Sequence, residues 1–139
     1  MSRALEHLIY ESRATGSTGS LLNLAAILSE AQRNNDRDGL TGALAAHDER
    51  YIQVIEGSRS ALDNLLRRLE RDARHRNIVI LDRRPISARA FGQWAMASAR
   101  ITPELAPVLD VVMSTTRPSA PQLVEALKRA LDQGPQMAA

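Results

Sequence analysis

Leu62, Leu65, Leu66 and Leu69 fall at i, i+3, i+4 and i+7 with charged residues opposite them, which makes one apolar stripe along a helix. That helix lies between two runs of strand character, YIQVIEG at 51–57 and NIVILD at 77–82, both rich in β-branched side chains. A stripe of this kind must be buried against another element, and the flanking strands supply a sheet to receive it. Ser60 and Asp63 offer a capping-box-like start, and the helix is expected to end near His75.

The rest of the chain continues the alternation. HLIYESR (7–13) reads as a first strand, and GSTGS (16–20) is a turn with several N-cap residues. Leu21, Leu24, Ala25, Leu28 and Ala31 recur at helical spacing, which predicts a helix from about 19 to 34, broken by the polar NNDRDG (34–39). LTGALAA (40–46) and YIQVIEG flank HDER as a hairpin with a four-residue loop. After NIVILD comes a long polar connection, RRPISARAFGQ, and then WAMASAR (94–100), which alternates as a fifth strand. The order β α β β α β β predicts a ferredoxin-like α+β fold, a five-stranded mixed sheet with two helices on one face. Its first and third strands are expected to be central neighbours and parallel. Pro103, Pro107, Pro118 and Pro121 divide the tail into two short helical segments, roughly 104–113 and 121–132. The expected organisation is a globular domain over 1–101 and a helical extension over 102–139 that covers the free sheet face or meets a partner.

Composition removes several functional classes. The 139 residues suffice for one domain without cross-links. There is no cysteine, which excludes disulfides, thiolate metal sites and cysteine nucleophiles. No run reaches the ~18 apolar residues of a spanning helix, so the expected location is the cytoplasm. The net charge is +2 and the pI about 9.7, because the basic residues are arginines with Lys128 as the one lysine. Asp63, Glu70, Asp72 and Asp82 interleave with arginines from Arg59 to Arg76, a mixed solvated surface rather than a nucleic-acid stripe. No nucleophile elbow, phosphate loop, dinucleotide fingerprint or metal-ligand cluster is present, and His7, His47 and His75 are scattered. An ordinary enzyme is therefore not expected. A small hydrolase of the acylphosphatase type and a plain interaction module stand as alternatives.

Gln53 is the residue these patterns do not explain. It lies in phase with Tyr51 and Ile55, in a strand that is otherwise apolar until Glu56. Burying an unpaired amide costs roughly 1–3 kcal/mol, so this one needs partners. A carboxamide also has an unusual property: half a turn exchanges donor and acceptor while the shape stays the same. The bland reading is a polar residue at the sheet rim bonded to backbone. Tyr10, Asn34, Asn35, Trp94 and Met96 each have a bland reading too: a core tyrosine, C-capping asparagines, apolar anchors sharing one face of the fifth strand.

Taken together these residues resemble the BLUF family of blue-light sensors that bind FAD. The matching segments are LIYESRA around Tyr10, NNDRDGLTGAL at 34–44, YIQVIEG at 51–57, RDARH at 71–75 and FGQWAM at 91–96, within about residues 5 to 101. The resemblance implies that Tyr10 is the redox-active tyrosine and that Gln53 bridges its hydroxyl and the flavin ring. It implies that Asn35 bonds the ring's C4 carbonyl and N3 edge, with Asn34 next to it near the pyrimidine end. Trp94 and Met96 would be the fifth-strand pair that reports the lit state. Arg68 and Asp72 would sit toward the ribityl and phosphate portion, near Arg74 and His75, and Ile27 and Leu66 would help grip the ring. FAD is the implied cofactor, with FMN or riboflavin as substitutes such a pocket would accept. Tyr51 and Ile55 replace the family's usual phenylalanine and leucine, so Tyr51 adds a second phenol. In the short members of the family the sheet and C-terminal helices pass the signal to a separate signalling partner, and the same is implied here; a homo-oligomer formed through the sheet face or the tail is expected.

Overall fold

The computed structural model describes residues 4–14, 21–47, 50–71, 75–92, 94–99, 103, 105–114 and 120–132. The elements are β1 (Leu5–Ala14), α1 (Leu21–Asp38), β2 (Thr41–His47), β3 (Arg50–Gly57), α2 (Arg59–Glu70), β4 (His75–Ile86), β5 (Ala97–Ser98), α3 (Leu105–Ser114) and α4 (Ala120–Asp132). The five strands are ordered β4-β1-β3-β2-β5. Every pairing is antiparallel except β2 with β5, so the sheet is mixed and the fold ferredoxin-like, as the element order predicts. One expectation is corrected: β1 and β3 are central neighbours but run antiparallel. The crossover through α1 returns β2 in the direction of β1, and the hairpin then reverses β3.

Boundaries differ from the sequence reading for local reasons. Helix α1 does not break at Asn34 but continues through both asparagines to Asp38. It ends where Gly39 adopts a left-handed φ of 70° and the Leu40 N–H donates to the Asn35 carbonyl at 2.8 Å, a Schellman-type closure. Asparagine in a helix costs only a few tenths of a kcal/mol, which the tertiary bonds of Asn35 described below outweigh. The cap of α2 is Ser58, whose hydroxyl accepts the Ala61 N–H at 3.3 Å, so the helix starts before Ser60. It ends at Glu70, short of His75, and β4 is correspondingly longer than NIVILD. The fifth strand shrinks to Ala97–Ser98. The 16–20 turn and Asp48–Glu49 of the hairpin loop lie outside the described residues.

The sheet separates two cores. Leu8, Tyr10, Leu44, Tyr51, Ile55 and Met96 pack with Leu28 of α1 and with Leu62, Leu65 and Leu69 of α2. Residues of opposite phase, including Ile9, Ala43, Ala45, Ile52 and Val54, pack with Leu105 and Leu109 of α3 and Leu123, Leu127 and Leu131 of α4. Each strand's alternation is thus used twice, once for each helical layer.

Candidate functional site

The site lies on the α1–α2 side of the two central strands. Tyr10 on β1 and Gln53 on β3 are register partners, and both are buried, Tyr10 at 0% and Gln53 at 3% exposure. Facing residues in an antiparallel pair have Cβ atoms about 4.5–5.5 Å apart, so the two side chains start from adjoining positions on one face. Beside Tyr10 the pairing of β1 with β4 slips: Ile9 is opposite Asp82 but Tyr10 is opposite Ile80. Leu81 is the extra residue, a bulge that leaves the β1–β3 register intact. Tyr51, buried two residues from Gln53 and in phase with it, places a second phenol in the same cluster.

Asn35 brings the end of α1 to this region. It is 1% exposed, and its Nδ2 donates to the Ala95 carbonyl at 2.8 Å. Its Oδ1 is buried and has no hydrogen-bond partner among the described residues. An unmet buried acceptor costs about 1–3 kcal/mol, so it marks a place where an N–H donor belongs. One helical turn on, Asp38 accepts Arg68 NH1 from α2 at 2.8 Å, while Arg68 NH2 is buried with no hydrogen-bond partner among the described residues. The Arg37 hydrogen bond, aided by Arg68 and opposed by burial, holds the Asp38 carboxyl below the ordinary carboxylate range. The region therefore offers an apolar wall from α1 and α2, one free acceptor and one free cationic donor. That inventory fits a flat aromatic ring with an imide edge and an anionic tail.

The remaining candidates fall in different places. Asn34 is half-buried, next to Asn35. Met96 is 1% exposed and belongs to the Tyr10 cluster, whereas Trp94 is half-buried and packs on the α3–α4 side. The expectation that these two share a strand face is thus corrected. Residues 94–96 precede β5, with a bend at 95–96, so strand alternation does not govern them. Asp72 and Arg74, and the side chains of His75 and Ile27, lie outside the described residues. Leu66 packs on the Tyr10 cluster.

Sequence reasoning missed two groups that organise the site. Gln32, one turn before Asn35, donates Nε2 to the Met96 carbonyl at 3.0 Å. The i, i+3 spacing of two amides on α1 was the available signal. Glu56 is 1% exposed and binds the chain just before Trp94. An acid in phase with Ile52 and Val54 on an apolar strand was the clue.

Residues 5–97 match the family model BLUF, described as sensors of blue-light using FAD. The beta subunit of a photoactivated adenylate cyclase from Euglena longa is 35% identical over 96 residues, which cover 68% of this chain and 11% of that protein. The chain thus spans about a tenth of the length of that relative. A structure of BlsA in its photo-activated state superposes with a TM-score of 0.79 at 26% identity, covering 96% of this chain and 99% of that one. The dark-state structure of BlrB gives a TM-score of 0.71 at 33% identity, covering 96% and 98%. The similarity to BlsA and BlrB takes in the helices beyond residue 97 as well as the sheet.

Proposed function

The chain belongs to the BLUF family, the sensors of blue light using FAD, and from that membership we propose a photoreceptor in which Tyr10 and Gln53 form a light-operated hydrogen-bond switch. The family is one of sensors, and nothing in the site favours the hydrolase alternative. The observation that carries the proposal is the register of Tyr10 against Gln53, buried beside an acceptor on Asn35 that the protein itself leaves unmet.

In this reading Asn35 Oδ1 accepts the imide N–H of the ring, with Asn34 adjoining. Arg68 NH2 donates to oxygens of the ribityl and phosphate portion, and Asp72 serves the same portion. Leu28, Leu62 and Leu65 supply apolar walls. Bound FAD supplies absorption of blue light and an excited state able to draw an electron and a proton from a phenol. Tyr10 would be that phenol, and it would regain its electron and proton as the lit state forms, so that only the arrangement of Gln53 is left changed. Gln53 rotates or changes tautomer, so its donor and acceptor ends trade partners while its volume stays constant. Met96 senses the change directly because it shares the cluster, and Trp94 carries it to the α3–α4 layer. There a separate partner protein reads it. No net turnover results.

One absorption spectrum before and after a blue flash tests the proposal. A yellow protein with a reversible red shift is expected; a protein that binds flavin yet shows no shift sinks the switch.

A further inference from the structure

Glu56 is a carboxylate at 1% exposure, and burial at that depth is costly unless both oxygens are engaged. Both are. Oε2 accepts the Ala90 N–H at 2.5 Å, and Oε1 accepts the Phe91 N–H at 3.0 Å and the Thr41 hydroxyl at 2.8 Å. Arg89 closes the cage: NH1 donates to Thr41 Oγ1 at 2.9 Å and to the Glu56 carbonyl at 3.1 Å, and NH2 donates to the Gly39 carbonyl at 2.9 Å. Residues 89–91 are thereby tied to the end of α1, the start of β2 and the end of β3. Glu56 is in phase with Ile52 and Val54, so it stands on the sheet face opposite Gln53.

A few residues further on, the mode of attachment changes. The carbonyls of Trp94, Ala95 and Met96 are held by the Gly42 N–H at 3.1 Å, by Asn35 Nδ2 at 2.8 Å and by Gln32 Nε2 at 3.0 Å. These are neutral bonds, and neutral bonds are roughly half as strong as charge-assisted ones. The segment therefore has an ionic, buried end at 89–91 and a weaker end at 94–96 that borders the Tyr10 cluster. Gly92 lies between them and is exposed.

We propose that Glu56 is a positioning residue of the light response: its carboxylate fixes residues 89–91 as the anchor from which 94–96 exchange contacts when Gln53 does. The proposal rests on the photoreceptor reading above. With the anchor loosened, 94–96 sample both arrangements more freely, and the lit state loses part of the barrier that preserves it.

The test uses flavin-loaded Glu56→Gln protein, with Glu70→Gln on exposed α2 as the control. The amide keeps the shape but turns one acceptor into a donor, so one of the two backbone N–H groups loses its partner. Exchange of whichever of the Ala90 and Phe91 amides loses its acceptor should rise about tenfold in the dark, and recovery of the dark spectrum after a flash should accelerate by a similar factor. Flavin content and the dark spectrum should stay as in the wild type. Faster exchange with unaltered recovery shows a merely structural role and overturns the proposal, as does unaltered exchange. If Glu56→Gln does not fold, Thr41→Val removes the hydroxyl's two bonds, to Glu56 Oε1 and from Arg89 NH1, and leaves the carboxylate in place; the same two rates must move in the same direction. A wild type with no light-induced shift defeats the photoreceptor reading and this proposal with it. A normal wild-type cycle with an unmoved variant defeats this proposal alone.

Discussion

Tyr10 and Gln53 face one another across the β1–β3 ladder, in register and almost completely withdrawn from solvent. Each brings a polar group to a cluster that also holds Leu8, Leu44, Tyr51, Ile55 and the leucines of α2. Tyr10 fills core volume as well, but its hydroxyl and the Gln53 amide are polar groups that packing alone does not require. The sheet therefore presents a phenol and a carboxamide as a pair, in a setting where their hydrogen bonds gain strength from the low local dielectric.

Gln53→Leu should leave the fold and flavin binding intact while abolishing the light-induced red shift. Leucine matches the apolar neighbours, and removing a buried amide altogether changes stability by only about 1 kcal/mol. Flavin content and difference spectra on the same sample separate binding from switching. A full shift in Gln53→Leu would show that the carboxamide is not the switch.

Tyr10→Phe should abolish the same signal, and Tyr51→Phe should preserve it. Both phenols sit in one buried cluster, but only Tyr10 is the register partner of Gln53; Tyr51 is opposite Ser12 and Ala46. Flash spectroscopy on the two single variants decides between them. Residual photochemistry in Tyr10→Phe that vanishes in the double variant would assign Tyr51 a share of the donation.

Asn35 makes separable contributions through its two ends. Asn35→Asp keeps an acceptor but loses the donor to Ala95, and Asn35→Ala loses both. Asn35→Ala should weaken flavin binding about tenfold, the worth of one buried hydrogen bond. Asn35→Asp should loosen residues 94–96 in hydrogen exchange. Titration of apoprotein with FAD, together with exchange at those residues, reads the two effects independently.

The parts of this molecule that sequence reveals are those fixed by period and composition. The stripe of Leu62, Leu65 and Leu69 places α2, and the alternation of YIQVIEG sets Gln53 in phase with Tyr51. Strand direction was not accessible in the same way. Tyr10 meets Gln53 through an antiparallel register, which depends on the route through α1 and not on either residue's neighbours. Asn34 and Asn35 read as helix breakers because intrinsic propensity is local, yet Gly39 ends the helix and Asn35 is held by Ala95, 60 residues away. Trp94 and Met96 part company for a similar reason. The bonds from Gly42, Asn35 and Gln32 bend the chain where alternation predicts a strand.

Acid should destabilise the protein partly through Asp82. Burial opposes its ionisation, but hydrogen bonds with Arg84 and with His7 prevail and hold the carboxyl below its ordinary range. A depressed folded-state pKa gives stability that is present above the unfolded value and lost as pH falls through the folded one. Stability should therefore fall below about pH 4, where free aspartates protonate. Asp82→Asn should cost about 1 kcal/mol at neutral pH and flatten the acid limb of the curve. Urea unfolding at a series of pH values measures both. An identical acid limb in Asp82→Asn would exclude this pair from acid sensitivity.

Gly42 on β2 is in close contact both with β3 and with the segment before β5. Its N–H donates to the Trp94 carbonyl, and a Cβ built on it would lie 2.2 Å from the Val54 carbonyl oxygen and 3.1 Å from the Ile55 Cα. Those atoms are backbone of a central strand and cannot swing aside as a side-chain tip does. Alanine must therefore push β2 away from β3, which strains the ladder and lengthens the bond that positions Trp94. Overpacking of this kind costs typically about 1–3 kcal/mol, enough to lower the melting temperature by several degrees in a domain of this size. Gly92→Ala is the matched comparison, because a Cβ there would meet the Arg89 Cβ at 3.6 Å, an ordinary contact. Its melting temperature should stay with the wild type, and its recovery after illumination should not change. Gly42→Ala should lower the first and alter the second, because the displaced β2 carries the donor that holds Trp94. Equal melting of the two variants would mean that β2 has room to spare at Gly42, and that the close approach does not constrain residues 94–96.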